Sequence, residues 1–251
     1  MVLNRLLPLF SHCLNITFPP ACLLCGGENS VDQAPICLQC WAKANPIRGM
    51  ICQKCGLPTG MMDRSGFDHP CLCVACRQNK WIFDKARAGF IFDGPVREAI
   101  HMMKYQGHFG LGAWLGRKMT EVLQDGIHND PNEEGAMILP VPLSSDRFRE
   151  REFNHAFALA KSLGRSWNIP VCPSLLERKP GSKPQVGLTP KERWSNVRGA
   201  FKIKDPGLVL KKEIILVDDV FTTGATANEC TRELKKAGAI HVRVWTVART
   251  L

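Results

Sequence analysis

The chain has 251 residues, 45% of them hydrophobic and 22% charged, a composition that excludes wholesale disorder. That length accommodates one large domain, or a core of roughly 150 residues with a smaller module beside it. Thirty-three Lys and Arg against 23 Asp and Glu leave a formal charge of +10, which favours anionic partners such as nucleic acid, sugar phosphates or a membrane surface.

At the start of the chain, Leu3, Leu6, Leu7 and Phe10 have the spacing of one helical face. A short helix packing on its own protein is expected there, ahead of a membrane-surface contact. Pro8, Ser11 and His12 break the apolar run and no small-residue cleavage site follows, so a signal peptide is not expected. No run reaches the ~20 apolar residues of a membrane span, so no transmembrane segment is expected either. The expected location is a reducing cytoplasm, where cysteine clusters hold metal more often than they form disulfides.

Ten of the 12 cysteines lie in the first 76 residues, and eight form four Cys-x-x-Cys pairs: Cys22/Cys25, Cys37/Cys40, Cys52/Cys55 and Cys73/Cys76. This spacing lets two thiolates converge on one tetrahedral ion at ~2.3 Å, so eight thiolates make two closed four-cysteine sites for structural zinc. Gly26 and Gly56, each directly after a pair, suit the tight turn of a zinc knuckle. Sequential pairing, the first four cysteines on one ion and the last four on the other, is expected ahead of an interleaved arrangement. Cys71 competes with Cys73 for the last site, and His12, Cys13 and His69 are outside candidates.

The chain divides near residue 85, where turn-formers and cysteine pairs give way to alternating helices and strands. Val96, Ile100 and Met103 make one helical face, with Arg97 and Lys104 on or near the polar side; Leu111, Leu115, Met119 and Val122 make another. Residues 138–142, Ile-Leu-Pro-Val-Pro, read as a short buried strand entering a loop. Residues 156–167 read as a helix with Leu159, Ala160 and Leu163 inward. Residues 178–196, rich in Lys and Arg with little periodicity, read as a mobile loop. A buried strand over 214–217, a short loop, a helix marked by Ala227, Cys230, Leu234 and Ala237 and closed by Gly238, and a final strand over 241–248 complete the chain. Strand, loop, helix, strand in this order predicts an α/β core with a parallel sheet.

The most informative segment begins at Ile214. An apolar strand delivers two adjacent carboxylates, Asp218 and Asp219, and the loop Thr222-Thr223-Gly224-Ala225-Thr226 then opens a helix. Small residues admit a phosphate to the backbone, hydroxyls add donors, and N–H groups at a helix start favour an anion. Carboxylates beside a phosphate cradle point to a sugar phosphate, the acids accepting hydrogen bonds from ribose hydroxyls or meeting a metal-bound ligand. No Gly-Lys-Ser/Thr follows, which excludes a triphosphate P-loop, and no dinucleotide fingerprint is present. Phe221, just before the threonines, is open between packing and stacking on a base.

This segment resembles the phosphoribosyl-pyrophosphate (PRPP) signature of type I phosphoribosyltransferases. Taken with the cysteine pairs, Pro140-Val-Pro142, Arg151-x-Phe153-Asn154, Gln185-x-x-Leu188 and Arg193-x-x-Asn196, the chain resembles the ComF/GntX family of bacterial DNA-uptake and DNA-utilisation proteins. The resemblance implies a zinc module over 1–85 and a phosphoribosyltransferase-like domain over 86–251. It implies ribose hydroxyls on Asp218 and Asp219, the 5′-phosphate on Thr222, Thr223, Gly224, Ala225 and Thr226, and Mg²⁺ arriving with PRPP. It further implies a pyrophosphate loop after Pro142 and a closing loop within 178–196, with Arg147, Arg151, Asn154, Lys179, Gln185 and Arg193 as candidate ligands. Where the family commonly has Arg-Gly-Phe-Asn-Gln, this chain has Arg151-Glu152-Phe153-Asn154-His155, which sets a negative charge beside the supposed polyphosphate site.

Between Ser145 and Lys204 stand 13 Lys and Arg against five acids, with Phe148, Phe153 and Trp194 interleaved. A basic groove with stacking aromatics is how single strands are held without sequence preference. A solvated face with ligands for the charge of pyrophosphate is the alternative for this stretch. The resemblance implies a DNA-uptake or DNA-utilisation protein that binds PRPP or a related sugar phosphate, with DNA-uptake proteins as partners, and the basic stretch adds single-stranded DNA as an expected ligand. The alternative is an active phosphoribosyltransferase that transfers the pentosyl group to a nucleobase-like acceptor; no catalytic residue is assigned.

Overall fold

The computed structural model describes residues 21–29, 34–59, 72–78, 81–108, 110–125, 135–143, 154–180 and 189–251. In chain order the elements are α1 (Leu38–Trp41), α2 (Val74–Gln78), β1 (Lys85–Ile91), α3 (Gly94–Tyr105), α4 (Gly110–Asp125), β2 (Met137–Pro140), α5 (His155–Trp167), β3 (Leu176–Arg178), α6 (Pro190–Val197), β4 (Phe201–Ile203), β5 (Glu213–Phe221), α7 (Ala225–Lys236) and β6 (His241–Arg249). The four-stranded sheet has the order β1-β6-β5-β2 with every pair parallel, as strands joined by helical crossovers require. The α/β core expected from the sequence is therefore the core that forms.

Strand residues alternate between two apolar layers, because successive side chains leave a strand on opposite faces. Ile215 and Val217 of β5, with Trp245 and Val247 of β6, join the layer under α3, α4 and α5. Ile214 and Leu216, with Val242 and Val244, join the layer that includes Cys230 and Leu234 of α7. Both faces of the sheet are covered, so its strands read as continuous apolar runs.

The two cysteine groups join different layers. Cys22 and Ile36 pack with the α3/α4 side, whereas Cys52, Cys55, Cys73 and Cys76 pack with Phe83, Leu139 and Leu216 on the other. Backbone bonds tie both groups to β1: Ile47 N–H donates to Gly89 and Ile91 N–H to Asn45, while Ala86 N–H donates to Lys54.

One expectation is corrected. Residues 178–196 are not a single loop. Arg178 ends β3, which pairs antiparallel with β4, and Pro190–Val197 form α6. The helix starts because Thr189 and Glu192 form a capping box, each side chain accepting the other residue's backbone N–H, with Pro190 in the first turn. Residues 181–188, with Gln185 and Lys183, lie outside the described residues, as do residues 1–20, where a short helix is expected, and residues 144–153, with Arg147 and Arg151.

Candidate functional site

The β5 strand runs to Phe221, four residues beyond the apolar run, and carries Asp218 and Asp219 near its C-terminal end. In parallel α/β sheets ligands gather at that edge. Here a cavity of 470 Å³ opens, lined by both aspartates, the whole Thr222–Thr226 loop, Val141 to Leu143 after β2, and Asn154 at the start of α5. Its size is that of a small-molecule site.

The turn into α7 is made by Gly224 at φ 71°, left-handed backbone that suits glycine. A side chain there would also collide, since an added Cβ would lie 2.8 Å from Phe221 Cζ and 2.8 Å from Trp81 Cζ3. Gly224→Ala should therefore cost at least ~1–2 kcal/mol from the backbone alone and force Trp81 to move. A shifted Trp emission with weaker ligand binding is the expected result; an unchanged spectrum and affinity would contradict it. Phe221 is buried, edge-on to Phe83 at 5.9 Å, with the Arg249 guanidinium 5.4 Å from its ring centre. It packs.

Residues from four other elements complete the cavity. Lys104 of α3 reaches across to Asp219, Nζ to Oδ2 2.7 Å. Asp218 Oδ1 accepts the Asp219 backbone N–H at 2.9 Å. Burial and the neighbouring Asp219 charge push the Asp218 carboxyl up to about 7, against the pull of Lys104. Arg178 of β3 lines the same cavity, and Arg193 of α6 donates to Thr222 Oγ1 at 3.1 Å. Asn154 caps α5 by accepting the Ala156 N–H and donates to the Val141 carbonyl, so it fixes the loop after β2. Lys179 is exposed and does not line the cavity.

Lys104 and Arg178 are the functional candidates that the sequence concealed. Helical periodicity put Lys104 on or near a polar face, yet its partner is 115 positions away in the chain. Arg178 was hidden by the loop reading. On α3 the residues Arg97, His101, Lys104 and Tyr105 line the cavity at i, i+4, i+7 and i+8, a polar ridge beside the buried face of Val96, Ala99, Ile100 and Met103.

The cysteines gather in two sets, Cys22, Cys25, Cys37 and Cys40, and Cys52, Cys55, Cys73 and Cys76, the four sulfurs of each lying within 4.8 Å of one another. The grouping is sequential, with Cys73 in the last set; Cys71 lies outside the described residues. Sulfur separations of 3.9 Å for Cys25–Cys37 and 3.6 Å for Cys55–Cys73 are far from a disulfide. Backbone N–H groups of Leu24 and Cys37 point at Cys22 Sγ, at 3.4 and 3.3 Å, and that of Cys73 at Cys52 Sγ, at 3.3 Å. Four convergent sulfurs with N–H donors suit a closed tetrahedral thiolate site, which fits structural zinc. Among the described residues no other group of three or more Cys, His, Asp or Glu could hold a metal ion.

The chain thus joins a sulfur-rich N-terminal unit to a parallel α/β sheet. Residues 13–77 match the double zinc ribbon domain. Over 91% of its length the chain is 28% identical to Competence protein F of Haemophilus influenzae, covering 96% of that protein. It is 28% identical to DNA utilization protein YhgH of Salmonella typhi, over 94% of this chain and 100% of that one. It is 24% identical to Competence protein ComFC of Bacillus subtilis, over 91% and 95% respectively. The likeness to competence and DNA-utilisation proteins read from the sequence thus extends along nearly the whole chain. A solved structure of glutamine PRPP amidotransferase from B. subtilis, complexed with ADP and GMP, aligns with 53% of this chain at 18% identity and a TM-score of 0.35; the alignment spans 25% of that enzyme. No helix among the described residues is long and apolar enough to cross a membrane.

Proposed function

We propose that this chain is a competence-type DNA-utilisation protein of the cytoplasm that binds PRPP or a related phosphoribosyl ligand in the β5–α7 cavity and engages single-stranded DNA. The observation that carries the reading is the joint placement of Asp218, Asp219 and the Thr222–Thr226 loop on one cavity at the C-terminal edge of a parallel sheet. The carboxylates accept ribose hydroxyl hydrogens, while the helix start and the threonines receive the 5′-phosphate. Lys104, Arg178 and Arg193 bring positive charge toward a diphosphate, and Mg²⁺ carried by that diphosphate would neutralise the rest. The zinc module stabilises the unit, and DNA-uptake proteins are its expected partners, in line with the names of the relatives.

A second reading, pentosyl transfer to a nucleobase-like acceptor, is favoured by the α3 ridge. His101 and Tyr105, with ring centres 4.9 Å apart and planes inclined at 46°, both line the cavity. An aromatic ring lining the cavity suits stacking on a base. Pyrophosphate release from PRPP, measured across a panel of bases with an Asp218→Ala/Asp219→Ala control, separates the readings. PRPP binding without release is the result expected for the first. Release that needs both a base and the two aspartates would overturn it in favour of the transferase.

A further inference from the structure

A second concavity, of 340 Å³, lies between α4 and α5, apart from the cavity just described. It exists because the two helices approach at backbone distance. A Cβ on Gly112 would lie 2.8 Å from Ala158 Cβ, and one on Gly116 2.6 Å from Ser162 Cβ, so glycine is what permits this contact. Ala113, Ala158 and Ser162 then line a groove that long side chains flank: Arg117 from α4, Lys161 and Arg165 from α5. All three cations are exposed, and none forms an ion pair with a carboxylate among the described residues. Other basic residues of the 145–204 stretch are already engaged: Lys202 and Lys204 both pair with Glu177, at 2.9 and 2.8 Å, and Arg193 holds Thr222.

The groove also offers the Ser166 hydroxyl and the half-buried ring of Phe157. Lys161 and Arg165 are one helical turn apart, about 5–6 Å between Cβ atoms, so both can meet neighbouring phosphates of one extended strand. The three cations flank one groove, which the phosphates of a single extended strand can follow, whereas a duplex presents its charges on two separated ridges. The same helix joins the groove to the first site: Asn154, His155 and Ala156 line the phosphoribosyl cavity, and Phe157, Ala158, Lys161, Ser162 and Arg165 line the groove.

We infer that the α4/α5 groove is a track for the phosphodiester backbone of single-stranded nucleic acid, with Arg117, Lys161 and Arg165 as its phosphate contacts, running along α5 toward the mouth of the cavity. This places a site for the strand that the proposed function invokes, and it rests on that reading. The track is unlike the basic stretch read from the sequence, because Arg117 comes from outside that stretch.

The test is binding of a fluorescent poly-dT oligonucleotide to the full zinc-loaded protein across a salt series. The variant R117Q/K161Q/R165Q is compared with K202Q/K204Q/K236Q, which removes the same charge elsewhere. Thermal melting checks that both fold. Loss of three phosphate contacts on a single strand should flatten the slope of log affinity against log salt by about 2 and weaken binding at least about tenfold at low salt. The control variant should change little. Equal losses in both variants, or no loss in the first, would overturn the track while leaving single-strand binding intact. Wild-type protein that fails to bind the oligonucleotide would overturn the reading beneath it, and a preference for a duplex of equal length would overturn the choice of a single strand.

Discussion

Replacing Cys52 and Cys55 together with serine is expected to unfold the protein, whereas the same change at Cys22 and Cys25 is expected to leave the sheet folded. The second cysteine set is buried at all four positions and sits in the same apolar layer as Phe83, Leu216 and Phe221. Arg249, at the end of β6, donates from its guanidinium to the Cys55 carbonyl and approaches Cys55 Sγ at 3.7 Å. The same guanidinium lies over Phe221, which closes against Gly224. A metal lost from this set is therefore expected to loosen the Thr222–Thr226 loop as well as the cysteine unit. Structural zinc in finger peptides contributes an apparent ~10–16 kcal/mol, as large as the ~5–15 kcal/mol that separates folded from unfolded domains. The first set has Cys25 exposed and lies on the other side of the sheet, so a chelator should strip it sooner. Two-phase metal release with the loss of ligand binding in the slow phase is the expected result. A single phase, or ligand binding that survives removal of both ions, would contradict it.

The second large effect is at the carboxylates. Asp218→Ala with Asp219→Ala should lower affinity for a phosphoribosyl ligand by more than about 100-fold, because hydrogen bonds to charged groups are worth ~1.5–3 kcal/mol each. The same pair sets a pH dependence. Asp218 is raised to about 7 in the folded, ligand-free protein by burial and by its neighbour's charge. In that state the folded protein holds a proton that the unfolded chain has already released. The stability it contributes is present below the ordinary carboxylate range and is lost as pH rises through about 7. Ribose hydroxyls donate to the ionised form, so ligand affinity should move the other way and increase between about pH 6 and 8. Affinity that is flat over this interval, or that falls, would show that Asp218 does not receive the ligand. Lys104→Ala should displace the transition upward, since its ammonium opposes the raised value.

Much of this was legible in the residues. The apolar spacings of α3, α4 and α5 and the β5–α7 segment were plain because burial on one face imposes a period. The four Cys-x-x-Cys pairs announced two metal sites for the same reason that they form them, since the spacing is the ligand geometry. In the segment 178–196 the charge density masks a local helix signal, the Thr189-Pro190-Lys191-Glu192 capping box. Three-residue strands such as β3 and β4 carry too few residues for any periodicity. The Lys104–Asp219 bond and the α4/α5 groove were not readable, because both depend on which faces meet after folding. The glycines at 112 and 116 are the sequence trace of the groove, but one turn of small residues has many other uses.

Whether Asp218 and Asp219 hold a phosphoribosyl ligand in the β5–α7 cavity is decided by direct binding. Calorimetric titration of the zinc-loaded protein with PRPP and Mg²⁺, against the Asp218→Asn/Asp219→Asn variant, tests it most directly. The expected result is saturable one-site binding that ribose 5-phosphate competes for and that the variant loses while its melting curve keeps a single folded transition. Absence of binding by the wild-type protein, or equal binding by a folded variant, would contradict it.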